Sequence, residues 1–212
     1  MTAIICQGDE RAPFHLLLAH GAGAPMTSPF IETAAGLLVE RGLRVSRFEF
    51  AYMAARSEGK RKPPPRAEKL VPEYRAVVSR LSATLPNGQR LLVGGKSMGG
   101  RVASYIADDL FAEGTIAGLV CLGYPFHPPS KPENLRTAHL AEMCCPALIV
   151  QGERDPFGTR TEVEAMALAP AIRFAWIGDG DHDLGPRGGS GFTRKGNLEA
   201  AADAIAAFAA SL

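Results

Sequence analysis

Leu91-Leu92-Val93-Gly94-Gly95-Lys96-Ser97-Met98-Gly99-Gly100-Arg101 is the stretch whose reading decides the fold. An apolar run passes straight into Gly-x-Ser-x-Gly, with Gly95, Ser97 and Gly99 in the three fixed positions. Val102, Tyr105 and Ile106 then follow at helical spacing. The pattern predicts a strand, a sharp turn and a helix, with Ser97 on the turn. A turn of this kind holds its serine in a strained backbone conformation and needs neighbours without a Cβ. The rival is a phosphate-binding loop, since Gly95-Lys96-Ser97 imitates the end of a P-loop. That motif, Gly-x-x-x-x-Gly-Lys-Ser, needs glycine where Arg90 stands.

Outward from this turn, two periods alternate along the chain. Short β-branched or leucine-rich runs at 14–20, 44–50, 90–94, 116–123, 147–152 and 173–177 read as strands. Several are apolar without alternation, as in parallel strands covered on both faces. Leu70, Tyr74, Val77, Leu81 and Leu85 repeat at three or four and stop at Pro86-Asn87-Gly88. Ser28-Pro29 opens a helix bearing Ile31, Ala35, Leu38 and Val39, and Gly42 closes it. Leu198, Ala201, Ile205, Phe208 and Leu212 form an amphipathic C-terminal helix. The expectation is α/β: a three-layer α/β/α sandwich, with a mostly parallel sheet of about six or seven strands, in one domain spanning 1–212.

Composition narrows the function. The 212 residues are 46% hydrophobic and 21% charged, which excludes a disordered chain. Lys+Arg 23 against Asp+Glu 22 leaves +1, so no nucleic-acid footprint covers the whole chain. No apolar run approaches the roughly 20 residues of a membrane span, and the first residues lack the basic start of a secretory signal. Cys6, Cys121, Cys144 and Cys145 form no Cys-x-x-Cys pair. They read as reduced, mostly buried thiols in a cytoplasmic protein. No cofactor and no metal site is expected, since no His/Cys/Asp/Glu group shows ligand spacing.

In a parallel sheet the working residues lie at the carboxyl ends of strands. The run at 147–152 leads into Glu153-Arg154-Asp155-Pro156-Phe157-Gly158. Asp155 is favoured over Glu153 to orient a histidine, because it lies further beyond the strand, where turn chemistry concentrates. The run at 173–177 leads into Gly178-Asp179-Gly180-Asp181-His182-Asp183. His182 can there swing over a serine two strands away. The three aspartates lack the longer ligand series of a calcium loop. The first run ends His20-Gly21-Ala22-Gly23-Ala24-Pro25, whose small residues let backbone N–H groups point into a site. An oxyanion hole would take the N–H of Met98 and one from this loop: Ala22, with Gly21 and Gly23 close behind. His20 reads as structural, hydrogen-bonding neighbouring loops. His15, His127 and His139 have no supporting context.

The turn Gly-Gly-Lys-Ser-Met-Gly-Gly-Arg, the early His-Gly-Ala-Gly, Gln-Gly-Glu-Arg-Asp-Pro-Phe-Gly and the late Gly-Asp-His resemble the α/β-hydrolase superfamily. The nearest resemblance is to its short, capless dienelactone-hydrolase-like branch, related to testis-expressed hydrolase-like proteins. It covers nearly the whole chain, and the order Ser97, Asp155, His182 is the order of that fold. The resemblance implies a Ser97 nucleophile, an Asp155 acid, a His182 base, and Met98 and Ala22 at the oxyanion positions. Dienelactone hydrolases proper carry cysteine at the turn; the serine here favours ester or thioester chemistry on a small-molecule acyl substrate. The alternative is a catalytically silent hydrolase-like binding or scaffold protein.

Three further expectations concern the surroundings. Residues 56–66 carry five basic residues, one acid and a proline triplet, and read as an extended surface loop. Lys60 and Arg61, with Arg56 and Lys62, are candidates to attract an anionic substrate group. About two dozen residues separate Gly123 from Ala147, too few for a cap, so the site is expected to be a shallow cleft. Tyr52, Phe126 and Phe157 are candidates for its apolar wall. Glu49 pairs with Arg47 or a loop arginine on this reading.

Overall fold

The computed structural model describes residues 3–57, 59 and 63–212. Seven strands form one sheet in the order β1-β3-β2-β4-β5-β6-β7. They are β1 (Ile4–Gln7), β2 (Phe14–Ala19), β3 (Arg44–Phe48), β4 (Arg90–Lys96), β5 (Gly118–Leu122), β6 (Ala147–Gly152) and β7 (Ile172–Ile177). Only β1 runs antiparallel, along the outer edge of β3. It is the strand that the sequence reading missed, being four residues long and only partly buried.

The helices are α1 (Pro29–Glu40), α2 (Ala51–Ser57), α3 (Val71–Ser82), α4 (Met98–Ser104), α5 (Ala107–Ala112), α6 (Arg160–Glu164) and α7 (Arg194–Ala210). Successive strand side chains point to opposite faces, so each continuous apolar strand feeds two cores. Leu16, Leu18, Leu92, Val120 and Val150 pack with Leu38 of α1 and Ile205 and Phe208 of α7. Leu17, Val93, Cys121 and Ile149 pack on the other face with Tyr74 and Val78 of α3 and Val102 of α4. Each fully buried leucine here contributes about 1.5–3 kcal/mol relative to exposure. The expected three-layer α/β/α arrangement is therefore present, and no cap is inserted between β5 and β6.

Strand registers bring the working ends level. Ala19 pairs with Gly95, Lys96 with Leu122, Leu122 with Val150, and Gly152 with Ile177. The segments that leave β2, β4, β6 and β7 therefore emerge from one edge.

Two expectations about the surroundings change. Arg56 is not in an extended loop but on α2, where its guanidinium lies 5.5 Å from the centre of the Tyr52 ring. Lys60, Arg61 and Lys62 lie outside the described residues. All four cysteines are free, but only Cys121 and Cys145 are buried; Cys6 and Cys144 are exposed. Cys6 sits on the edge strand, whose outer side pairs with no other strand among the described residues.

Candidate active site

Ser97 is the single residue between β4 and α4, with φ 51° and ψ −116°. A non-glycine residue at positive φ is strained, and its neighbours hold it there. Its N–H donates to Leu122 O at 2.9 Å, and its carbonyl accepts from Arg101 N–H at 3.0 Å. The turn also has to fit against the end of β2. A Cβ at Gly99 would lie 2.6 Å from both Ala19 O and His20 O, and one at Gly95 would lie 2.6 Å from Ala19 O. These backbone contacts leave no room for a side chain at either position.

Asp155 is fully buried. Its Oδ1 accepts the Phe157 N–H at 2.8 Å. Its Oδ2 accepts from Gln151 Nε2 at 2.9 Å and from His182 Nδ1 at 2.8 Å. Three donors converge on one carboxylate, and the bond to it fixes the imidazole with its proton on Nδ1. Glu153, the competing carboxylate, is occupied elsewhere. It accepts the Asp179 N–H at 3.0 Å and pairs with Arg160 at 3.1 Å.

The aspartate-rich loop is a scaffold for His182. Asp179 pairs with Arg187 at 2.6 Å and Arg154 at 2.7 Å, and hydrogen bonds from Arg187 hold its carboxyl well below the usual range. Asp181 Oδ1 accepts the N–H groups of Asp183 and Gly185. Asp183 Oδ1 lies 3.2 Å from Lys96 Nζ. Lys96 is buried beside the Ser97 turn and passes 5.4 Å from the centre of the Phe30 ring. Burial pushes its pKa down, opposed by Asp183, Asp155 and Asp181.

A cavity of about 500 Å³ joins these groups; Ser97, His182, Lys96, Gly21, Ala22 and Gly23 are among the residues that line it. Phe157 lines it too, its ring 4.3 Å from the His182 ring. A second cavity of about 750 Å³ shares Ser97, Ala22 and Phe157 and adds Met98. Met98 opens α4, where a helix N–H has no intrahelical acceptor. Neither Ser97 Oγ nor His182 Nε2 has a hydrogen-bond partner among the described residues, so both are open to a ligand.

Other candidates fall elsewhere. Tyr52 is not part of either cavity wall; its hydroxyl donates toward Gly21 O at 3.3 Å and Ala22 O at 3.2 Å, bracing the loop. Phe126 is fully buried against Tyr124 and Phe174, a core residue rather than a wall. Glu49 does not pair with Arg47; it accepts the Met26 N–H at 3.2 Å. His20 is structural: Nδ1 donates to Gly21 O at 2.7 Å, and Nε2 accepts the Phe50 N–H at 3.1 Å. Burial pushes its pKa down to about 4. Among the described residues two serine–histidine hydrogen bonds occur, Ser104 with His139 and Ser46 with His15, and no described carboxylate is hydrogen-bonded to either imidazole. Burial pushes both to about 4.

The reading from sequence missed Gln151 and Lys96. Gln151 Oε1 accepts the Tyr124 N–H, while Nε2 donates to Tyr124 O, Gly158 O and Asp155. One fully buried amide thus holds the Asp155 carboxylate and ties down the loop that carries it. The available signal was a lone polar residue closing an apolar strand. Lys96 stood inside the quoted turn, but nothing local foretold its burial.

Residues 12–210 match the sequence profile of a family described as alpha/beta hydrolase domain. Among solved structures, the chain is similar to a dienelactone hydrolase from Anabaena variabilis, at 19% identity and TM-score 0.74 over 98% of this chain and 90% of that one. It is also similar to an alpha-beta serine hydrolase homologue from Coxiella burnetii, at 18% identity and TM-score 0.71 over 96% and 89%. A serine hydrolase from Xanthomonas campestris, described as without lid, matches at 19% identity and TM-score 0.64 over 85% and 80%. These likenesses carry the fold, and the profile match extends over nearly the whole chain. The chain belongs to the alpha/beta hydrolase domain family.

Proposed function

We propose that the protein is a serine hydrolase that cleaves a small carboxylic ester or thioester through Ser97, His182 and Asp155. The observation that carries this reading is the 2.8 Å bond from His182 Nδ1 to buried Asp155, in a cavity shared with Ser97 at positive φ. His182 Nε2 takes the Ser97 proton as Oγ bonds to the acyl carbon. The carbonyl electron pair moves onto oxygen, where the N–H groups of Met98 and Ala22 bind it; one such donor is worth about 3–4 kcal/mol of barrier. The pair returns, the bond to the leaving oxygen or sulfur breaks, and His182 delivers the proton to the leaving group. Water then attacks the acyl-enzyme, giving one proton to His182 and its hydroxyl to the acyl carbon. The bond from the acyl carbon to Ser97 Oγ then breaks, His182 returns that proton to Oγ, and the carboxylic acid is released. Asp155 keeps the imidazole in the tautomer this needs and stabilises the imidazolium. Residues 1–212 act as one domain on this reading, and the four free thiols suit a cytoplasmic site of action.

The test is fluorophosphonate labelling with p-nitrophenyl acetate turnover. The wild-type protein is expected to label and turn over, and Ser97→Ala to do neither. Equal behaviour of the two proteins refutes the reading and leaves a hydrolase-like binding protein.

A further inference from the structure

The second cavity at Ser97 has a charge pattern that the triad chemistry does not use. Three guanidinium groups line it, Arg66, Arg101 and Arg136, against a single carboxylate, Glu68. That carboxylate is already committed. Glu68 Oε1 accepts from Arg101 at 2.7 Å and from the Tyr105 hydroxyl at 3.0 Å. Arg101 is further held by Tyr105 Oη at 2.6 Å, so it is a fixed part of the wall. Arg136 differs. Its side chain makes no hydrogen bond or ion pair with any described residue, yet it is half-buried. Burial, and then Arg101 nearby, holds its pKa below the ordinary arginine value. Its backbone, by contrast, is anchored: the N–H donates to Phe126 O at 2.8 Å, and the carbonyl accepts the Tyr124 hydroxyl at 2.9 Å. A guanidinium on a fixed backbone, short of counter-charge and opening on the nucleophile, suits a bidentate carboxylate.

The position of His182 says which end of a substrate reaches it. His182 lines the first cavity and not the second. The group that protonates the leaving atom has to lie beside it, so the leaving group occupies the His182 side. The acyl chain then extends into the arginine-lined cavity. We infer that the substrate is a monoester or monothioester of a dicarboxylic acid, whose free acyl-side carboxylate is bound by Arg136, with Arg66 at the exposed rim. This rests on the serine-hydrolase reading above. It assigns the anionic subsite to Arg136 and Arg66.

The test compares p-nitrophenyl monoesters of adipic and suberic acids with their methyl-capped, neutral counterparts. Wild type is expected to favour the free acids in kcat/KM. That preference should fall about 10- to 100-fold in Arg136→Met, the range for losing a charge-assisted hydrogen-bonded pair. Arg136→Lys should retain part of it, and added salt should weaken it. Thermal unfolding of each variant checks the fold. A second arm places the carboxylate on the leaving group, as 4-acetoxybenzoate against its methyl ester. An Arg136-dependent preference in this arm overturns the acyl-side assignment. Turnover of both adipate esters with no preference in wild type, or a preference unchanged in Arg136→Met and Arg136→Lys, overturns the proposal and leaves the hydrolase reading intact. Binding gives a readout without turnover: calorimetry of Ser97→Ala with monomethyl adipate, repeated with Arg136→Met added. Binding lost in the double variant supports the subsite even where labelling at Ser97 fails; no binding to Ser97→Ala overturns it.

Discussion

Replacing Asp155 by asparagine changes one atom in the part of the site with the fewest free choices. The carboxylate accepts three donors: the Phe157 N–H on Oδ1, and Gln151 Nε2 and His182 Nδ1 on Oδ2. Asparagine has one oxygen and one amide nitrogen. With the oxygen toward Phe157, the new NH2 faces two donors, and His182 must move its proton to Nε2, the wrong tautomer for a base. Gln151 cannot turn to accept, because its Oε1 already holds the Tyr124 N–H. With the oxygen toward His182, only the Phe157 N–H loses its acceptor, at about 1–3 kcal/mol of stability. This second orientation is expected. The histidine then keeps its tautomer but loses the anion behind it. Opposite charges centred about 4 Å apart interact by about 4 kcal/mol at an effective dielectric of 20. At 1.36 kcal/mol per decade that is a loss of about 10³-fold in kcat. The assay is single-turnover acylation by p-nitrophenyl acetate, with circular dichroism and thermal unfolding to show that the variant is folded. A folded Asp155→Asn protein within 10-fold of wild type would refute the assignment and point to a different carboxylate behind His182.

Three other outcomes follow from the same contacts. Gly99→Ala places a Cβ 2.6 Å from two backbone oxygens, whereas one at Gly23 meets nothing within 4 Å. Gly99→Ala should cost about 3 kcal/mol, roughly 6–12 °C in Tm, while Gly23→Ala stays within about 0.5 kcal/mol by the same measurement. Lys96→Met removes a buried ammonium whose partner Asp183 is largely solvent-exposed, so no charge is left buried and alone. Thermal stability should be equal to or above that of wild type; a fall of more than about 2 kcal/mol by denaturant titration contradicts this. His15, His20 and His139 are each held down to about 4 in the folded chain, against 6.5 when free. Between those values the unfolded chain binds protons that the folded chain does not, so stability falls as pH drops from 6.5 toward 4 and is flat for these groups above it. Tm measured from pH 7.5 to 5 should show that slope, reduced in His15→Gln; an identical slope in the variant rules out this source.

Most of the fold was legible because its signals are local. Apolar runs alternating with helical repeats need only neighbours in sequence, and so do Pro29 opening α1 and the glycines around Ser97. The edge strand β1 was missed because four half-buried residues carry almost no period. The site was legible in part for the same reason: Ser97, Asp155 and His182 each follow a readable strand. The wall was not. Tyr52, Phe126 and Phe157 look alike in sequence, yet of the three only Phe157 lines the two cavities at Ser97, because the other two turn toward a loop carbonyl and the core.

The sequence by itself determined the alternation of the six parallel strands with the long helices, and within a few residues where those strands stop, since both depend on local periodicity and turn chemistry. Only the tertiary structure decided which polar side chains meet. Asp155 rather than Glu153 reaches His182 because Arg160 and the Asp179 N–H claim the nearer carboxylate. Gln151 holds the Asp155 carboxylate because sheet packing leaves its amide fully buried among four partners. Arg136 is left without an ion-pair partner among the described residues because Glu68, 68 positions away in sequence, is spent on Arg101 and Tyr105. Pairing is a competition among groups brought together by the whole fold, and each outcome depends on residues that no local pattern relates.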